Sequence, residues 1–270
     1  MLPCAGSAGC GSVRAVEGDA GSRLRRAASS AAAAPRGGEN AALAFRKRSV
    51  KGIETLPAEV LRISAESPDP EALRYAAEFI ARGGVVAIPT DTLYGLAADP
   101  FNLAAIEEIY RVKGRSDARA LPILVCSVEQ AMLLAREVPV AFLKLAQKFW
   151  PGALTLVVDA SHRLPLKVTA NTGRVAVRWP KSKVVCALIE ETGGPITGTS
   201  ANVSGWPGCS NASEVMKQLG SRLPLVLDGG ETGGAHPSTI VGLKGESWEI
   251  VREGVVSAAA IEKAVKSEGG

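Results

Sequence analysis

Lys113 and Arg115 flank a single glycine, Gly114, after a helical pattern and before an apolar run. Glycine lets the backbone turn, so two cations can converge on one anion. Lys then acts as a point charge and Arg as a planar fork for phosphate. Arg178 closes the run Val175-Ala176-Val177-Arg178, and a charge at the end of an apolar strand needs a partner or access to solvent. Thr197-Gly198-Thr199-Ser200-Ala201-Asn202 sets Ser200 and Asn202 on a polar turn whose hydroxyl, amide and backbone N–H groups suit phosphate or adenine. Pro89-Thr90-Asp91-Thr92-Leu93-Tyr94-Gly95-Leu96 brings further hydroxyls, including Thr90, to the end of another apolar run. Ser238-Thr239-Ile240 and Arg252-Glu253-Gly254 begin and end the last two expected strands. Taken singly, each segment also has an ordinary structural explanation: a solvated helix end favoured by the macrodipole, or a turn in which Thr, Ser and Asn satisfy local backbone groups.

Other catalytic constellations do not assemble. The chain contains no GxxxxGK[ST], and its paired glycines form no GxGxxG between a strand and a helix. A Ser-His-Asp triad would have to use His162 or His236, both in proline-flanked, loop-like contexts. Five scattered cysteines without a CxxC pair, and two histidines away from them, give no zinc pattern and point to a reducing compartment. Cys126 and Cys186 lie in apolar stretches and read as small core residues.

The elements that must position these groups begin near residue 70. Leu73, Ala76, Ala77 and Ile80 recur at helical spacing after Pro70, and Gly83-Gly84 supplies a stop. Further helices are expected over 103–112, 128–137, 140–149, 181–191, 212–219 and 258–265. Strands are expected over 85–88, 121–125, 154–158, 175–178, 195–199, 223–227, 239–243 and 248–251. The irregular alternation predicts an α/β fold of the α+β type, a single layered domain over 65–268 with a twisted mixed sheet of about seven strands flanked by helices. Candidate residues gather at strand ends, where open sheets of this kind bind ligands.

The chain has 270 residues, 46% of them hydrophobic and 21% charged, as in an ordinary globular protein. Its longest apolar runs are of strand length, so no membrane span is expected. The formal net charge is +4, but residues 1–50 carry eight Lys/Arg against three acids, leaving the remainder close to neutral. Overall charge therefore gives the folded part no general affinity for polyanions. Residues 1–60, rich in Ala, Gly, Ser and Arg and without apolar periodicity, read as a disordered leader with the composition of an organelle transit peptide. A plastid or mitochondrion is the expected destination, with the cytoplasm as the alternative.

Together the segments resemble the YrdC-type threonylcarbamoyl-AMP synthases. The resemblance runs from Pro70 to Val265. It is carried by Pro89 to Leu96 (PTDTxYGL), Lys113-Gly114-Arg115 (KxR), Pro151-Gly152-Ala153-Leu154-Thr155 (PGPxT), Val175 to Pro180 (VAVRxP), Thr199 to Gly205 (TSANxSG), Ser238-Thr239-Ile240 (STI/V) and Arg252-Glu253-Gly254 (RxG). Three positions depart from the pattern: the loop Arg119-Ala120-Leu121-Pro122 shifts a proline, Ala153 replaces one, and Arg174 stands where Thr is common. The end of the chain soon after RxG reads as the short form, without the additional C-terminal domain of longer members.

The resemblance implies a YrdC-like fold and an enzyme, a nucleotidyltransferase that condenses L-threonine, bicarbonate or CO2, and ATP into threonylcarbamoyl-AMP and pyrophosphate. A tRNA threonylcarbamoyl transferase would then carry the group to adenosine next to the anticodon, so contact with tRNA would be indirect. By motif position, Lys113 and Arg115 are the catalytic cations; ATP falls to Lys113, Arg115, Ser200, Asn202 and Arg252, and threonine to Thr90, Arg178 and Ser238. Mg2+ would arrive with ATP, bridging phosphates with few protein carboxylates, and no protein metal site is expected. The rival reading is a noncatalytic nucleotide- or RNA-binding module of the same fold.

Overall fold

The structure is a computed structural model and describes residues 58–114, 119–234 and 236–266. Arg115 and residues 1–57 of the expected leader lie outside the described residues.

A short strand, β1 (Glu59–Arg62), precedes α1 (Pro70–Ala81), whose start is fixed by Asp69 accepting from the Glu71 N–H and by Pro70 in the first turn. The strands β2 (Val86–Ile88) and β3 (Gly95–Ala97) follow. Then α2 (Leu103–Lys113) begins where the Asn102 side chain accepts from the N–H groups of Ala104 and Ala105. It ends at Gly114, whose φ of +60° is the left-handed conformation that stops helices. Next come β4 (Ile123–Leu124), α3 (Val128–Leu134), α4 (Val140–Phe149), β5 (Leu154–Asp159) and β6 (Arg174–Arg178). The chain continues through α5 (Lys183–Thr192), β7 (Ile196–Thr197), β8 (Thr199–Ser200), α6 (Ala212–Leu219) and β9 (Leu225–Asp228). It closes with β10 (Thr239–Lys244), β11 (Ser247–Arg252) and α7 (Ala258–Lys266).

The strands form two mixed sheets, ordered β1-β9-β2-β3-β8 and β11-β10-β5-β6-β4-β7. In the first, β9 pairs in parallel with β1 and β2, while β3 runs antiparallel to β2 and β8. Both faces of β2 are buried. Val86 and Ile88 point into a cluster with Leu73 and Ile80 of α1 and Leu188 and Ile189 of α5, whereas Ala87 joins the larger core with Leu156, Val177 and Val241 of the second sheet. The period of two thus divides one continuous apolar run between two cores.

The chain changes sheets at Gly198, between β7 and β8. A Cβ there would stand 2.3 Å from Leu124 Cγ, so only glycine allows the crossing. Thr197 ties the sheets together, its N–H donating to Ala98 O at 2.9 Å and its hydroxyl to Leu96 O at 2.9 Å.

The mixed α/β class stands as the sequence indicated. The expectation of one sheet with about seven strands gives way to eleven strands in two sheets among the described residues. The additions are β1, β3 and β8, each four residues or fewer and too short to display alternation. Through its pairing with β9, β1 adds residues ahead of position 65 to the first sheet. Cys126 and Cys186 are half-buried, Cys126 packing against the α1 and α5 cluster; among the described residues the fully buried cysteine is Cys209.

Candidate functional site

Thr90, Arg178, Ser200, Asn202, Ser238 and Arg252, drawn from five separate segments, line one cavity of about 580 Å³. Each segment borders a strand: the turn before β3, the end of β6, β8 and the turn after it, the approach to β10, and the end of β11.

Arg178 is almost wholly buried, and each of its nitrogens has a partner. Nη2 stands 2.6 Å from Asp91 Oδ1, Nη1 donates to Thr92 Oγ1 at 2.9 Å, and Nε donates to Gly152 O at 2.9 Å. Burial pushes its pKa below the ordinary value; Asp91 opposes that shift and the nearby charge of Arg252 adds to it. The two Nη groups carry four hydrogens, so a guanidinium held this way keeps donors for a second anion. Arg252 Nη2 donates to Ser238 O at 2.7 Å, and the Ser238 hydroxyl shares a hydrogen bond of 2.8 Å with Thr155. Thr90 Oγ1 donates to Leu93 O at 2.6 Å and accepts from the Thr92 N–H at 3.1 Å, which shapes the turn that carries Asp91.

Lys113 takes a different place. It is buried at the end of α2, off the cavity lining, with its ammonium against the back of the Ser200 to Asn202 turn. Nζ donates to Asn202 O at 3.0 Å, to Asn202 Oδ1 at 3.3 Å and to Ser200 O. The Ser200 hydroxyl donates to Asn202 Oδ1, and Asn202 Nδ2 donates to Val203 O at 2.9 Å and Trp206 O at 2.7 Å. The ammonium therefore fixes the turn that faces the cavity. Arg115 lies outside the described residues.

Sequence reasoning named Thr92 only as one hydroxyl of its turn and assigned no ligand to Asp91, Thr155, Arg119 or Trp206, all placed in or beside this site. Arg178 itself held the signal for Asp91, since a buried guanidinium calls for a carboxylate. Tyr94 also lines the cavity; its hydroxyl donates to Gly230 O at 2.7 Å, and burial pushes its pKa up to about 12, so it is a neutral phenol at physiological pH. Among the described residues, no three His, Cys, Asp or Glu side chains come together as metal ligands, and no helix is long and apolar enough to cross a membrane.

The family model covering Sua5, YciO and YrdC, described as telomere recombination, matches residues 78–254. A Pyrococcus abyssi protein named threonylcarbamoyl-AMP synthase is 38% identical over 193 residues, covering 72% of this chain and 57% of that protein. A Bacillus subtilis protein of the same name is 35% identical over 198 residues, again with 57% of its length covered. The chain thus spans little more than half the length of these two relatives. A Vibrio cholerae protein so named is 34% identical over 186 residues, with 68% of this chain and 98% of the relative covered. In solved structures, P. abyssi Sua5 complexed with L-threonine superposes with a TM-score of 0.75 at 35% identity, covering 77% of this chain and 61% of that one. E. coli YciO superposes at 0.70 with 23% identity, over 76% of this chain and 99% of that one, a likeness of fold alone. With residues of six of its seven motifs on one cavity and relatives matched at this level, the chain belongs to the Sua5/YciO/YrdC family.

Proposed function

We propose that the chain is an L-threonylcarbamoyladenylate synthase, joining L-threonine, bicarbonate or CO2, and ATP into threonylcarbamoyl-AMP with release of pyrophosphate. The observation that carries this reading is the convergence of Thr90, Arg178, Ser200, Asn202, Ser238 and Arg252 on one cavity. The reaction needs a carbamate nitrogen-bound carboxylate to attack the α-phosphorus of ATP while pyrophosphate departs. Two anions must meet, so fixed cations and hydrogen-bond donors help more than a protein nucleophile.

In this reading the remaining Arg178 donors take the threonine carboxylate, with Thr90 and Ser238 beside it. Arg252, Ser200 and Asn202 take the nucleotide phosphates. Lys113 supports the phosphate side from behind the turn it holds, and Arg115 is assigned to the same task by its motif. Magnesium would enter with the nucleotide substrate and supply positive charge beside its phosphates. The product passes to a tRNA threonylcarbamoyl transferase. The composition of residues 1–60 supports delivery to a plastid or mitochondrion.

The test is incubation of the full chain with ATP, L-threonine and bicarbonate while pyrophosphate is measured. Release that requires threonine is the expected result. ATP binding without turnover would favour a noncatalytic nucleotide-binding module.

A further inference from the structure

Trp206 leaves 63% of its surface exposed, whereas Trp150 is buried and Trp179 and Trp248 are half-buried. It also lines the cavity that holds Arg178 and Arg252. Its main chain is held firmly: its N–H donates to Val203 O at 3.0 Å, and its carbonyl accepts from Asn202 Nδ2 at 2.7 Å. The side chain is thus presented to the cavity from a fixed base, and a large aromatic surface left in water gains free energy when a flat apolar partner covers it.

The neighbouring lining is apolar as well. Pro207, Gly208 and Leu93 belong to it, and a Cβ at Gly208 would stand 2.6 Å from Leu93 Cδ1, so Leu93 lies directly on that glycine. One cavity therefore combines cationic lining at Arg178, Arg252 and Arg119 with a connected apolar stretch around Trp206. Inorganic phosphate or a free amino acid would engage the cations and leave the indole uncovered. A nucleotide engages both, through its phosphates and its base.

We infer that Trp206 is the platform on which the base of the nucleotide stacks, which makes it a binding residue that separates nucleotides from bare polyphosphates. The inference rests on reading the cavity as an ATP site. Stacking on an aromatic face is tolerant of base identity, because every base has a π face. The selectivity lies between nucleoside triphosphate and inorganic triphosphate.

The experiment titrates the full chain, Trp206→Ala and Trp206→Phe with ATP and with inorganic triphosphate, following tryptophan fluorescence and binding heat. ATP should quench the emission of the parent chain, and inorganic triphosphate should not. Trp206→Ala should weaken ATP about tenfold and leave inorganic triphosphate unchanged. Trp206→Phe should keep most of the ATP affinity and lose the quench. ATP binding by the parent with equal affinity in Trp206→Ala overturns the inference alone, as does an equal loss for both ligands. Absence of ATP binding by the parent overturns the functional reading and the inference with it.

Discussion

The buried ammonium of Lys113 stands 3.0 Å from the main-chain oxygen of Asn202 and 3.3 Å from its side-chain oxygen, joining the end of α2 to the turn after β8 across 89 residues of sequence. The cation acts on the backbone of the site and sets where Ser200 and Asn202 face the cavity.

Lys113→Ala should therefore damage both stability and activity. It leaves the two buried Asn202 oxygens, and the part-buried Ser200 carbonyl, without their charged donor, at a cost of about 1–3 kcal/mol. Denaturant titration should show the lower midpoint. Threonine-dependent pyrophosphate release should fall tenfold or more, the loss expected from ~1.4 kcal/mol of transition-state stabilisation. Parental activity with parental stability would contradict this role.

Arg178→Ala should raise the threonine concentration required for half-maximal pyrophosphate release more than it changes the ATP requirement. Arg178→Lys should not restore it, since one ammonium cannot reproduce the fork that reaches Asp91, Thr92 and Gly152 together. Steady-state kinetics with each substrate varied in turn decides the point.

Gly198→Ala should be destabilising because its Cβ would collide with Leu124. Overpacking of this kind typically costs about 1–3 kcal/mol. A lowered thermal midpoint is the expected outcome, and an unchanged one would show that the sheet crossing adapts freely.

Residues 1–60 fused to a fluorescent reporter should enter a plastid or mitochondrion. Diffuse cytosolic fluorescence would remove the targeting reading, which rests on composition alone.

How much of this was legible in the sequence depends on range. Pro70 at the start of α1, Gly83 just past its end and Gly114 after α2 are local signals, and the helices start and stop at them. Arg178 was legible because a charge ending Val175-Ala176-Val177 has few ordinary explanations. Its partner Asp91 lies 87 residues earlier, a pairing that only the folded chain reveals. Lys113 also carries a local signal: with Ile106 and Ile109 it falls at i, i+3 and i+7, on the buried stripe of α2. Read that way, its ammonium belongs inside, against main-chain oxygens, and off the cavity lining. The strands β3 and β8 escaped because three and two residues cannot show a period.

The most direct trial of the central claim supplies the full chain with ATP, L-threonine and 13C-labelled bicarbonate and examines the nucleotide products by mass spectrometry. The account predicts an adenylate that contains threonine and the labelled carbon, formed together with pyrophosphate and greatly diminished in Arg178→Ala. Intact ATP, or AMP formed without incorporation of threonine and label, would contradict it.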